Sequence, residues 1–288
     1  MNPILRHFGL RAQPFALTPD PQFYFPWDHA QAILAGAEFA LLRGDGLLHI
    51  GGMAGSGKTL LCHLLLTRLD RLGVNTAYLN APVADPLHLP AIVTREFGAE
   101  PGGGAETYRG LGEFLLREFA AGRRNVLVID EAQALGARGL ELIRLLSNLE
   151  TGAHKLLQIV MFGQPELDRL LARPALRQIA QRIAFGFTTQ PLPAALAGDY
   201  VRHRIGLCAS DEAAPDLFDP AATALLADSS RGWPRLINIL ADKAMIAAYA
   251  AGEDRIRRAH IRAAITDTPH LDWPVSLFGR IIARRAAA

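Results

Sequence analysis

Long apolar runs, a cysteine framework and an excess of charge of one sign are all missing from this sequence, and each absence removes a class of protein. No stretch of about 18 uncharged apolar residues occurs, so no segment reads as a helix that spans a bilayer. The first residues, "MNPILRHFGLRAQPF", lack the basic region and apolar run of an export signal. The two cysteines, Cys62 and Cys208, supply neither a disulfide framework nor a metal-ligand spacing. Cys62 lies among leucines as a buried reduced thiol does, which fits a reducing cytoplasm. Thirty basic residues face 28 acidic ones, a formal charge of +2. No overall field therefore argues for wrapping nucleic acid or lying along an anionic bilayer. Internal repeats are also missing, and the biased stretches "EPGGGAE" and "RRAAA" read as loop and tail.

What is present is globular: 288 residues, half of them hydrophobic and 20% charged, enough for one main domain and a smaller one. Between Leu47 and Pro191, short apolar runs alternate with longer helical patterns. The runs are "LLHIG" (47–51), "VNTAYLN" (74–80), "NVLVID" (125–130), "LLQIVMFG" (156–163) and "FGFTTQPL" (185–192). "KTLLCHLLLTRLDRLG" places leucines 61, 64, 65, 69 and 72 on one face, with Gly73 to end the helix, and "GLELIRLLSNLE" repeats the pattern. Strands of continuous apolar character separated by helices predict a parallel sheet covered on both faces, an α/β architecture. After Pro193 the remaining patterns are helical. The expected organisation is an N-terminal strap over 1–30, anchored on the main domain; an α/β domain over 31–192; a helical domain over 193–270; and a tail over 271–288.

"GMAGSGKT", residues 52–59, follows an apolar strand and opens an amphipathic helix. Gly52, Ala54, Gly55, Ser56 and Gly57, with Lys58, Thr59 and Leu60, are candidate nucleotide contacts. The glycines let backbone N–H groups turn inward at a helix N-terminus, where phosphate is favoured. A plain turn needs neither Lys58, which reaches the β and γ phosphates, nor Thr59, whose hydroxyl ligates Mg²⁺. "NVLVIDEAQ" delivers Asp130 and Glu131 to the C-terminal edge of the sheet. Asp130 is the candidate Mg²⁺ holder and Glu131 the general base on water. Gln164 after "LLQIVMFG" and Asn80 after "VNTAYL" read equally as caps or turns. Arg173, Arg177 and Arg182 read equally as a solvated basic face. Arg235 opens a helix after "GWP", where the dipole opposes a cation and a phosphate would not.

These segments, together with "FGLRAQPFALTPDPQFYF", "LLSNLETGAHKLLQIVMFGQPELDRLL" and "GWPRLINILADKAMIAAYA", resemble the AAA+ ATPases, P-loop NTPases with a three-layer α/β/α domain, a 5-1-4-3-2 parallel sheet and a small helical lid. Within them the sequence resembles the ExeA/GspA group, on the side of its MSHA pilus biogenesis ATPases. The resemblance implies ATP and Mg²⁺ as cofactors. It also makes Gln164 a polar sensor, Arg182 an arginine finger supplied to a neighbouring subunit (with Arg177 the next candidate), Arg235 a second sensor, and Asn80 a switch on the glutamate. It implies a homo-oligomer, pilus or secretion-system proteins at the inner membrane as partners, and a cytoplasmic location, peripheral to that membrane through partners. The sequence ends at 288 without the membrane span and peptidoglycan-binding domain of the ExeA type, from which we expect a cytoplasmic factor of a type IV-like pilus or type II secretion-related machine. The competing expectation is a DNA-associated helper ATPase of transposition or replication initiation. The near-neutral charge and the lack of a nucleic-acid module after the lid argue against it. In the tail, Leu277, Phe278, Ile281 and Ile282 opposite Arg280, Arg284 and Arg285 suggest a docking peptide for a membrane-associated partner or an anionic lipid surface.

Overall fold

Strand-length apolar segments bounded by loops pair along the chain into one parallel sheet. The computed structural model describes residues 2–80, 85–103, 105–152, 154–210 and 216–268, so the docking peptide expected in the tail lies outside the described residues. The chain divides into two units, Pro19–Gln190, and Met1–Thr18 together with Pro191–Ala288. Helix α1 (Pro3–His7) opens the chain within the second of these.

The first unit runs α2 (Asp28–Arg43), β1 (Leu47–Gly51), α3 (Lys58–Arg71), β2 (Asn75–Asn80), α4 (Leu89–Glu96), α5 (Ala105–Ala120), β3 (Asn125–Asp130) and α6 (Gly136–Leu146). A two-stranded antiparallel ribbon follows, β4 (Glu150–Thr151) and β5 (His154–Lys155), then β6 (Gln158–Gly163), α7 (Pro165–Leu171), α8 (Arg177–Ala180) and β7 (Ile183–Thr188). The sheet order is β2-β3-β6-β1-β7 and every pairing is parallel. Numbered without the ribbon and read from its other edge, this is the 5-1-4-3-2 order of the P-loop NTPases of the AAA+ kind.

Alternate residues of each central strand serve opposite faces. Leu127, Ile129, Ile159 and Met161 pack with Leu111 and Leu115 of α5 and Leu140 and Ile143 of α6. Val128, Val160, Leu48 and Ile50 pack with Ile33, Ala37 and Leu41 of α2 and Leu61, Leu65 and Leu69 of α3. Truncating one of these side chains to alanine typically costs about 2–5 kcal/mol, which holds the strand tips that carry the candidate site in fixed relation.

Two expectations need correction here. The last strand spans 183–188, where 185–192 was expected from "FGFTTQPL". Its pairing with β1 closes at Gly51 and Thr188. Beyond that, Pro191 and Pro193 have no N–H to donate and cannot extend a ladder. It is an edge strand, half-buried on alternate residues, so its apolar signal is weaker than that of the buried strands.

The second correction concerns the N-terminal strap. Residues 1–18 group with the helical unit and not with the α/β unit; only the remainder of the expected strap lies in the latter. The helical unit comprises α1, α9 (Ala197–Cys208), α10 (Pro220–Ser230), α11 (Pro234–Ala250) and α12 (Arg258–Thr266). Leu10 bridges to Ala209. Arg204 of α9, buried, donates to the carbonyls of Pro14 and Ala16, and its guanidinium lies 5.8 Å from the Tyr200 ring centroid. Strap carbonyls that leave water must find donors, and a buried arginine supplies them. Among the described residues no helix is long and apolar enough to cross a membrane.

Candidate functional site

Strand β1 ends at Gly51, and the chain turns through residues 52–57 before Lys58 starts α3. Gly57, at φ 92°, takes the left-handed conformation that directs the chain into the helix. Gly52 is needed for a different reason: a Cβ there would lie 1.7 Å from Thr189 Oγ1. Thr189, just past β7, donates to Ser56 Oγ at 2.8 Å and lies 3.3 Å from the carbonyl of Gly51. The loop is thus pinned from the edge strand. Ala54, Gly55 and Gly57 are half-buried within it, and Thr59 and Leu60 are half-buried in the first turn of α3.

Lys58 is buried, and its Nζ donates to the carbonyls of Gly52 and Met53, both at 2.9 Å. Of its three N–H donors, one remains. Burial lowers the Lys58 pKa, opposed by the negative charges of Glu131, Asp130 and Glu166. Those same charges put the acid pair within electrostatic reach of the lysine.

Asp130 ends β3 and is 1% exposed, its Oδ1 accepting the Glu131 N–H at 2.9 Å. Burial pushes the pKa of Cys62, one turn along α3 from Thr59, well up, and the negative charge of Asp130 adds to that shift. Glu131 takes φ 50°, a left-handed conformation uncommon for a side chain of this kind and characteristic of functional sites. Its Oε2 accepts from Gln164 Nε2 at 2.8 Å and from Gln133 Nε2. Gln164 leaves the tip of β6, the strand beside β3.

The fold therefore brings together Lys58, Thr59, Asp130, Glu131 and Gln164 of the residues expected from sequence. Asn80, exposed at the tip of β2 and in register with Asp130, is not one of the groups that hold Glu131. Arg182 is exposed just before β7, its Nη1 donating to Ser147 Oγ at 3.3 Å, and Arg177 and Arg173 are exposed nearby in sequence. Arg235 stands exposed in the first turn of α11, in the helical unit. Gln133 and Thr189 were not anticipated. Gln133 could have been noticed as the last letter of "DEAQ", whereas Thr189 carries no signal in its own stretch.

The residues present suit a magnesium nucleotide. A buried carboxylate and a hydroxyl are the hard oxygen donors that Mg²⁺ takes, and a lysine inside a glycine loop at a helix N-terminus suits phosphate.

Sheet order and loop together are those of the P-loop NTPase fold of the AAA+ kind. Residues 42–171 match the family described as "AAA domain". The chain is similar to General secretion pathway protein A of Aeromonas hydrophila, 36% identical over 260 residues that cover 89% of this chain and 47% of that protein. This similarity supports the ExeA/GspA group; the chain spans about half the length of that relative. Among solved structures it is similar to the Aeropyrum pernix ORC2 protein, with a TM-score of 0.64 at 18% identity, covering 88% of this chain and 71% of that one. It is also similar to Cdc6p from Pyrobaculum aerophilum, with a TM-score of 0.65 at 18% identity, covering 87% and 69%. At such identities these likenesses concern the fold.

Proposed function

We propose that this chain binds and hydrolyses ATP with Mg²⁺ and thereby serves as an assembly or regulatory factor of a secretion or type IV-like, MSHA-type pilus machine. It would act through protein partners at the cytoplasmic face of the inner membrane. The observation that carries the catalytic part is the buried Lys58 held inside the glycine loop after β1, with Asp130 ending β3 and Glu131 tied to the tip of β6 by Gln164. The similarity to General secretion pathway protein A supports the secretion part.

Loop N–H groups from Gly52 to Lys58 and the Lys58 ammonium bind the phosphates and hold the γ-phosphoryl in place. Thr59 and Asp130 would hold Mg²⁺, which offsets phosphate charge when bound. Glu131 orients the attacking water and takes its proton. Gln164, whose amide is already on the Glu131 carboxylate, fixes that group relative to the neighbouring strand tip. Arg235 reads the nucleotide as a second sensor, and Arg182 acts on the site of a neighbouring copy.

The test is an ATPase assay with nucleotide binding measured separately. Lys58→Ala weakens binding. Glu131→Gln keeps binding and loses turnover, because only water activation is removed. A Glu131→Gln variant that hydrolyses ATP at the wild-type rate overturns the assignment. For the cellular role, deletion of the chain abolishes pilus or secretion function; a deletion strain with both intact removes that part of the proposal.

A further inference from the structure

We infer that Gln133 is a positioning residue for Glu131, a role that rests on Glu131 acting on water as proposed above. Gln133 sits in the short 3-10 turn Ala132–Leu135 that follows the acid pair. Its Oε1 accepts the backbone N–H of Gln164 at 3.1 Å, and its Nε2 donates to Glu131 Oε2. A backbone N–H can only donate, so the amide oxygen must face it and the NH₂ must face the carboxylate. The direction of this carboxamide is therefore set by chemistry, although the two ends of an amide look alike in shape.

The result is a closed arrangement across two strand tips. Gln164 gives its backbone N–H to Gln133 and its side-chain amide to Glu131, while Gln133 gives its amide to the same carboxylate oxygen. Strands β3 and β6 lie in register up to Ile129 and Met161, just below these residues, so the ring is mounted on the most buried part of the sheet. Two amide donors share Oε2, and among the described residues no hydrogen bond engages Oε1. A glutamate has three side-chain torsions to lose. Fixing one oxygen with donors from two directions removes that freedom and leaves the other oxygen for water. Gln164 alone would leave the carboxylate free to swing about a single contact.

The experiment uses the full chain. Gln133→Met keeps the length and apolar stem but removes both polar ends. Gln133→Glu keeps the shape and an acceptor for the Gln164 N–H, but sets a carboxylate against Glu131. Both variants lower kcat by roughly 10- to 100-fold, the consequence of losing a hydrogen bond to a charged group, while KM and the nucleotide dissociation constant stay unchanged. In a Glu131→Gln background, Gln133→Met causes no further loss of residual turnover, because its effect passes through Glu131. Wild-type kcat in both single variants overturns the inference, and so does an undiminished effect of Gln133→Met in the Glu131→Gln background. Thermal melting of each variant separates these results from unfolding, and the isosteric Gln133→Glu carries the test if Gln133→Met fails to fold. Should Glu131→Gln itself turn over normally, it is the functional reading that falls, a result distinct from failure of the Gln133 variants alone.

Discussion

Thr189 Oγ1 stands 2.8 Å from Ser56 Oγ, so the residue that follows the edge strand occupies the space in which any side chain at Gly52 would have to sit. The nearest atoms to a Cβ at Gly52 are Thr189 Oγ1 at 1.7 Å, and Ser56 Oγ and Thr189 Cβ each at 3.0 Å. Gly52→Ala therefore pushes the loop off β7 or breaks its bond to Ser56, and overpacking of this kind costs about 1–3 kcal/mol. The cost falls on the loop that holds phosphate, so ATP affinity drops by about ten-fold or more. Adding Thr189→Ala removes the nearest clashing atom and recovers part of the affinity. Titration with a fluorescent ATP analogue reads both steps. If the double variant binds no better than Gly52→Ala, Thr189 does not set the shape of the loop.

Arg182, proposed above to act on the site of a neighbouring copy, lies away from its own phosphate loop. Ile183 pairs with Leu47, four residues before Gly51, so Arg182 lies at the end of the sheet opposite the phosphate loop. At about 3.3 Å per residue the strand alone separates them by roughly 13 Å. The strand after it is the edge strand β7, paired among the described residues with β1. A guanidinium that reaches a neighbouring copy's γ-phosphate is worth roughly 10³ to 10⁵ in rate. Arg182→Ala thus binds ATP and turns it over slowly, and wild-type specific activity rises with protein concentration. Mixing Arg182→Ala with Lys58→Ala restores activity, since one kind of mixed interface has an intact loop and an intact finger. Co-assembled variants without recovered activity would show that the finger acts within one chain or is another arginine, Arg177 being next.

The loop at 52–59 and the acids at 130 and 131 were legible because their chemistry is local: a short run of residues and a strand suffice. The buried strands were legible for a related reason, since β1, β3 and β6 are apolar at nearly every position. Sheet order was another matter and came with the resemblance, because period and composition do not say which strand lies beside which. The edge strand was displaced by two residues at its start because half its positions face outward. Thr189 on Ser56 joins positions 133 residues apart, and Arg204 on Pro14 joins positions 190 apart. No window of sequence contains such a pair. The grouping of residues 1–18 with the helical unit is hidden for the same reason: the donors to the Pro14 and Ala16 carbonyls are on α9.

His49, at the middle of β1, is 9% exposed, with Nδ1 3.6 Å from Asp168 Oδ1 and Nε2 buried with no hydrogen-bond partner among the described residues. Its Cε1 lies 3.1 Å from the point where a Cβ on Gly51, the last residue of β1, would stand. Burial lowers its pKa below the ordinary 6.5 and outweighs the attraction of Asp168, which is largely solvated. The folded imidazole thus takes up its proton at lower pH than the unfolded one, which does so around the ordinary 6.5. Between 6.5 and the lower folded value the unfolded state binds more protons, so stability rises with pH across that window and is lost on acidification. His49→Leu, of similar volume and unable to protonate, removes this contribution. Urea unfolding at pH 7.5 and at pH 5.5 measures it: the fall in midpoint on acidification is smaller in His49→Leu than in wild type. Equal falls would mean that His49 takes up its proton as readily in the folded chain as in the unfolded one.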